Sequence, residues 1–135
     1  MLRRNATNEE RRVFVRTTWE RSMTPRAPKD GMVHAGAVFL APYVWAQGRR
    51  QIVTHVLERS GMNVEVVDVE GQPMAWIAWE QDGARTVVHF IYTVPAVRRN
   101  GLARALLAPL LEHGEYAFAQ MTKPGQQLVA ACLGN

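Results

Sequence analysis

Apolar positions along this chain recur with two different periods. In the middle the period is two: 63–69 alternate β-branched with polar residues, 74–80 carry Trp76, Ile77 and Trp79, and 85–93 form the strongest strand-like run. Glu-Gly-Gln-Pro at 70–73 and Gln-Asp-Gly-Ala at 81–84 supply turns, the second with an Asp-Gly hairpin signal, so the three runs predict an antiparallel meander. On either side the period is helical. A helix over 8–23 places Val15, Trp19 and Met23 on one stripe, opened by a Thr7–Glu10 capping box and ended by Thr-Pro-Arg-Ala-Pro at 24–28. A second helix over 51–59 shows Ile52, Val53, Val56 and Leu57 on one face, with Gly61 as its stop. Residues 31–48 carry no readable period. After the meander, 99–113 read as a helix whose broad face is Leu102, Leu106, Leu107 and Leu110. Pro109 leaves the Ala105 carbonyl without its helical donor, which predicts a kink or an early end. A strand over 115–121 and a short helix over 126–132 finish the chain.

The order is therefore helix, helix, three strands, helix, strand, helix. The strand-helix-strand unit predicts a right-handed crossover between parallel strands. The fold class is α/β with a mixed sheet, not a doubly wound one. A chain of 135 residues fits a single domain, 1–135, with a basic N-terminal helical segment (1–30) and a sheet and binding core (62–121). With 47% apolar and 21% charged residues it is globular, not disordered. The longest stretch without a charged side chain, 32–48, contains His34, Gly36, Pro42 and Gln47 and is a poor membrane span. No apolar signal-peptide core follows Met1, and Cys132 is the only cysteine, so a cytoplasmic protein without an internal disulfide is expected.

Charge is unevenly placed. The formal net charge is +4, and residues 1–30 alone hold eight basic against four acidic groups, so the remainder is balanced. Most basic residues are arginine, suited to bidentate contacts with phosphate or carboxylate. A solvated helix face accounts for the N-terminal excess more simply than a dedicated anionic partner. Trp19 and Phe14 lie nearby, but no nucleic-acid reading motif accompanies them.

The sharpest chemical feature is Thr-Val-Pro-Ala-Val-Arg-Arg-Asn-Gly-Leu-Ala at 93–103, between the strongest strand and the next helix. Such a loop aims unpaired backbone N–H groups at one point, and the helix dipole adds partial positive charge, so it suits a phosphate or pyrophosphate. Gly101 permits close approach, Ala103 keeps the first turn uncrowded, and Arg98, Arg99 and Arg104 add full charges. It is neither a dinucleotide fingerprint nor a P-loop. Separately, His89 lies on the preceding strand. Strict alternation puts it on one face with Ile91 and Thr93, and Val88, Phe90 and Tyr92 on the other. A neutral imidazole there can take a proton near neutral pH; the plainer account is a half-buried histidine with a satisfied ring nitrogen. His34, His55 and His113 show no metal-ligand spacing and are taken as structural or surface groups, with no metal expected.

At Arg98-Arg99-Asn100-Gly101-Leu102-Ala103 the sequence resembles the GNAT superfamily of N-acetyltransferases, whose acetyl-CoA motif is (Gln/Arg)-x-x-Gly-x-(Gly/Ala) after a strand and a proline-containing turn, here Pro95. The resemblance spans about residues 6–121. A further likeness, to small acetyltransferase-like proteins of phage genomes, is carried by no motif. The resemblance implies that the backbone of Ile91 to Thr93 pairs with the pantetheine arm of acetyl-CoA. It implies that the amides from Arg98 through Arg104 cradle the pyrophosphate. It also implies that His89, nine residues before the motif, is the general base. Two departures stand out: 126–132 hold no tyrosine to protonate the leaving thiolate, and no final hairpin follows the last strand. Tyr116 precedes the last helix and is a poor substitute, and Cys132 reads more simply as a small buried thiol.

Three functions compete. The first is an acetyl-CoA-dependent N-acetyltransferase acting on a small-molecule or protein amine. The second keeps the fold without catalysis, as a binding or inhibitory module. The third is a small basic nucleic-acid binder. The last strand has an uncharged edge, which predicts a homodimer or a protein partner there.

Overall fold

The computed structural model describes residues 2–22, 42–112, 114–119 and 123–133. The expected ending of the first helix at Met23, the turn at 24–28, the environments of His34 and His113, and the expected strand positions Gln120 and Met121 lie outside these residues.

The chain opens with a strand, β1 (Leu2–Asn5), where the sequence pattern suggested only the approach to a helix. The helical layer begins with α1 (Asn8–Glu10), passes through a π-helical stretch (Arg11–Val15), and continues as α2 (Arg16–Ser22). The predicted capping box is present: the Glu10 amide donates to Thr7 Oγ1 at 3.1 Å, and the Thr7 amide donates to Glu10 Oε1 at 2.9 Å. Helix α3 (Pro42–Leu57) begins nine residues earlier than its apolar face suggested, at a proline, which is well suited to a first helical turn.

Strands β2 (Asn63–Val69), β3 (Gln72–Asp82) and β4 (Arg85–Thr93) form the expected meander. Helix α4 (Leu102–Leu111) then leads to β5 (Glu115–Phe118), which pairs parallel to β4, and α5 (Lys123–Cys132) follows. The five strands stand in the order β1-β2-β3-β4-β5, antiparallel except for the last pair. This is the mixed α/β sheet expected, with one more strand than the sequence suggested.

The sheet is packed on both faces. On one side Val15 and Trp19 from the first helix and Val53 and Leu57 from α3 cover Val64, Val66, Trp76 and Ala78. Trp19, Trp76 and Phe90 stack with ring centroids 5.4–5.6 Å apart, each pair contributing about 0.5–1.5 kcal/mol beyond its buried area. The Trp76 indole N–H is satisfied by Thr18 Oγ1 at 2.8 Å. On the other side Leu102, Leu106 and Leu107 of α4 lie over Val67, Ala75, Ile77 and Val88, with Leu128 and Val129 of α5 alongside.

Pro109 neither ends nor breaks α4, which runs on to Leu111. The expected defect is repaired from the far edge of the sheet. Arg3 of β1 reaches across and donates through Nη1 to the carbonyl of Ala105 at 2.7 Å and to that of Leu106 at 2.9 Å. The proline removes a backbone donor, and the arginine replaces it. Arg3 is further held by an ion pair with Glu65 on β2.

Candidate functional site

The site begins where the described pairing of β5 with β4 ends. The two strands pair from Arg85↔Glu115 to Val88↔Phe118, and the Ala119 amide makes a last bond to the Val88 carbonyl at 2.9 Å. Beyond Val88, β4 continues for five residues without a neighbour on that side among the described residues. Which of its backbone groups face the gap follows from its pairing with β3. The Val94 amide donates to the Met74 carbonyl at 2.8 Å, so the bonded pairs are Met74 with Val94 and, two residues back, Trp76 with Tyr92. Ile91 and Thr93 fall between them and turn their N–H and C=O groups away from β3, toward the gap.

At the end of β4 the chain makes a 3-10 turn (Pro95–Val97) and enters α4. Arg99 and Gly101 both adopt positive φ, 70° and 79°, and Gly101 is the N-cap of α4. A Cβ at Gly101 would meet nothing within 4 Å, so glycine answers here to the left-handed backbone, not to crowding. No side chain caps the helix. Among the described residues no acceptor takes the amides of Arg99, Asn100, Gly101, Leu102, Ala103 or Arg104, while that of Ala105 is taken by the Gly101 carbonyl at 3.0 Å. A run of free donors at a helix N-terminus, next to Arg99 and Arg104, favours an anion.

Arg98 departs from the expected cradle. Its amide closes the 3-10 turn onto the Pro95 carbonyl, and its side chain folds back, with Nε donating to the Thr93 carbonyl at 3.0 Å and the guanidinium over the Tyr92 ring. Leu102 contributes only backbone, since its side chain is buried in the core under α4.

His89 also sits differently from expectation. The register between β3 and β4 slips between Ala78↔Phe90 and Trp79↔Val88, leaving His89 as the extra residue of a bulge. Alternation is broken there. Val88 and Ile91 face α4, whereas Phe90 and Tyr92 pack on the α3 side. His89 joins the α3 side with them. Its Nε2 lies 2.7 Å from Glu80 Oε1, which also receives Arg59 Nη1 at 3.1 Å. The His89 and Glu80 side chains are 12% and 16% exposed, so the pair is sheltered but reachable. With Nε2–H donated to Glu80, Nδ1 carries the ring's lone pair. Neither Glu80 nor Arg59 stood out in the sequence. Counting outward from the Asp82↔Arg85 turn pair would have placed Glu80 diagonal to His89.

Cys132 is half-buried against the core under α4 and α5. Burial pushes its thiol above the ordinary range, and the charge of Arg104 pulls only partly the other way, so it stays protonated at neutral pH.

Comparison with known proteins agrees with the fold described above. A model of the acetyltransferase (GNAT) family matches residues 17–123. By sequence alone no curated relative matches. Among solved structures, a ribosomal-protein-alanine N-acetyltransferase from Brucella melitensis superposes with a TM-score of 0.63 at 13% identity, covering 97% of this chain and 90% of its own. An aminoglycoside antibiotic 6'-N-acetyltransferase from Acinetobacter haemolyticus gives 0.60 at 13% identity, covering 100% and 90%. An aminoglycoside acetyltransferase bound to a CoA-containing bisubstrate analogue gives 0.58 at 15% identity, covering 98% and 88%. The phage likeness gains no support from these matches. At such identities the superpositions establish the fold. With its five-stranded mixed sheet and a family match over most of its length, the chain belongs to the acetyltransferase (GNAT) family.

Proposed function

We propose that the protein transfers an acetyl group from acetyl-CoA to the nitrogen of an amine. The observation that carries this reading is the opening of β4 from β5 immediately before a helix N-terminus with free amides. The pyrophosphate of acetyl-CoA is held by the amides from Arg99 to Arg104, with the Arg99 and Arg104 side chains adding charge. The pantetheine arm pairs with the outward backbone groups of Ile91 and Thr93, for which Arg98 must release the Thr93 carbonyl.

The thioester then lies toward Val88, where the strands part. The amine nitrogen attacks the carbonyl carbon, the C–N bond forms and the C–S bond breaks. A strand amide polarises the carbonyl oxygen. His89 Nδ1, directly or through a water, takes the proton lost by the amine, and Glu80 holds the ring and stabilises the resulting imidazolium. The thiolate of CoA leaves and is protonated from solvent, since α5 has no tyrosine.

In the same reading the protein acts in the cytoplasm; among the described residues no helix is long and apolar enough to cross a membrane. A second copy or another protein pairs with the outer edge of β5, the last strand in the sheet.

The test is turnover of acetyl-CoA against a panel of amines, followed by thiol release. His89→Ala should lower turnover roughly 10²–10⁴-fold, the range of a general base, while CoA affinity barely changes. The wild-type pH–rate profile should rise through a limb that the variant lacks. Unchanged turnover with an unchanged limb would leave His89 as a strand residue satisfied by Glu80.

A further inference from the structure

Five of the N-terminal arginines divide into two groups. Arg3, Arg4 and Arg16 each have a carboxylate partner, in Glu65, in Glu10 and Asp68, and in Glu20. Among the described residues the side chains of Arg11 and Arg12 bond only backbone carbonyls: Arg11 Nη2 donates to Met62 at 3.3 Å, and Arg12 Nε to Asn8 at 3.4 Å. Both line a cleft of about 600 Å³ between the start of the first helix and the last turn of α3, together with Arg16, Thr54, Glu58 and Arg59.

The π-helical stretch shapes this cleft. The Arg16 amide donates to the carbonyl of Arg11, five residues back, which stacks Arg16 over Arg11. Ordinary α-helical winding would turn residues five apart roughly 140° from each other. π-Helical turns of this kind recur at functional sites. The result is a cleft lined by four arginines and the carboxylate of Glu58; Arg16 and Arg59 are already paired with Glu20 and Glu80, which leaves Arg11 and Arg12 to offer charge to a ligand. The cleft also communicates with the strand site. Arg59 lines it and at the same time holds Glu80, the partner of His89.

We infer that this cleft binds the phosphate of a small phosphorylated amine that serves as the acceptor. Guanidinium forks match phosphate oxygens bidentately, and a volume of this size suits a small molecule. Binding there places a negative group beside Arg59, two side chains from His89, with the amine extending toward β4. The acceptor role rests on the acetyl-transfer reading above; the anion site does not.

Inorganic pyrophosphate is titrated by calorimetry into the full chain already saturated with CoA, so that the loop before α4 is filled, while the His89 ring is followed by NMR. The expected result is one equivalent bound, weakened at least tenfold by Arg12→Glu, with the His89 resonance moving on binding. Arg12 is exposed, and among the described residues its side chain makes one hydrogen bond, to the Asn8 carbonyl, so this variant is expected to keep its fold; Arg11→Gln provides a second variant. No binding to the wild-type chain, or equal binding to both variants, overturns the site. Binding that leaves the His89 resonance unmoved overturns the acceptor role. A single-stranded oligonucleotide that displaces pyrophosphate at lower concentration replaces the small amine with a nucleic-acid backbone and overturns the proposal. Should CoA itself fail to bind, the acetyl-transfer reading falls alone, and the same titration on CoA-free protein still decides the anion site.

Discussion

Arg3 carries more of this fold than its place near the chain start suggests. It spans from the edge strand to α4 and donates to two of its carbonyls, one of which, Ala105, has lost its helical donor to Pro109. Arg3→Met should therefore cost about 1.5–3 kcal/mol, the range for a hydrogen bond to a charged group, read as a lowered denaturation midpoint. The double variant Arg3→Met with Pro109→Ala should recover part of that loss, because the helix then supplies its own donor to Ala105. A loss that Pro109→Ala leaves untouched would assign Arg3's contribution to Glu65 instead. Glu10 gives a second residue-scale prediction. Its bidentate bond to Arg4, with Nη1 at 2.7 Å and Nη2 at 2.8 Å, lowers its pKa from 4.5 to about 2. A carboxyl depressed in the folded state stabilises the protein above its unfolded pKa, and that contribution is lost as pH falls from about 4.5 to about 2. Glu10→Gln should lower stability at neutral pH and flatten its acid dependence across that window. An acid limb of unchanged steepness in equilibrium unfolding would contradict the assignment.

At the scale of elements, the loop and the bulge decide the chemistry. Gly101→Asp would place a side chain at positive φ and a carboxylate before the free amides of α4. Loss of CoA binding is expected, with far-UV circular dichroism unchanged. Glu80→Gln is the corresponding test of the bulge. Glutamine can still accept from the ring but cannot stabilise its cation, so turnover should fall with KM nearly constant and the rising limb of the pH–rate profile should change. An unchanged limb would leave Glu80 as an ion-pair partner of Arg59 only.

The legibility of these elements in the sequence differs for physical reasons. The meander, the α4 stripe and the loop at 93–103 follow from period and turn chemistry, which are local. Strand β1 was missed because Leu2–Asn5 is four residues long with two arginines, and its register against Glu65 and Asp68 comes from charge pairing across more than sixty residues. The bulge at His89 was missed because nothing in Val-Val-His-Phe-Ile interrupts the strand pattern. Consequently the face of His89, and with it Glu80, could not be assigned by alternation.

For the whole molecule, the two packed faces hold a sheet in which β4 and β5 pair as far as Val88↔Phe118, and no described residue pairs with β4 on that side beyond it. Phe118, the last residue of that pairing, packs against the core beneath α4 and α5. For that reason Phe118→Lys should destabilise the chain and is unsuited to testing the outer edge of β5. Ala119→Lys, at an exposed position next to that edge, is the better variant. If two copies pair there, light scattering at micromolar concentration should show a dimer that this variant shifts toward monomer. A monomeric wild-type chain with no partner recovered would contradict the pairing.

The central claim is that the gap beside β4 and the free amides before α4 form one CoA site. It is tested most directly by calorimetric titration of CoA into the wild-type chain and into Gly101→Asp. One equivalent bound to the wild type, with binding lost in a folded Gly101→Asp, is the predicted result. Absence of binding to the wild type, or equal affinity in the two proteins, would contradict it.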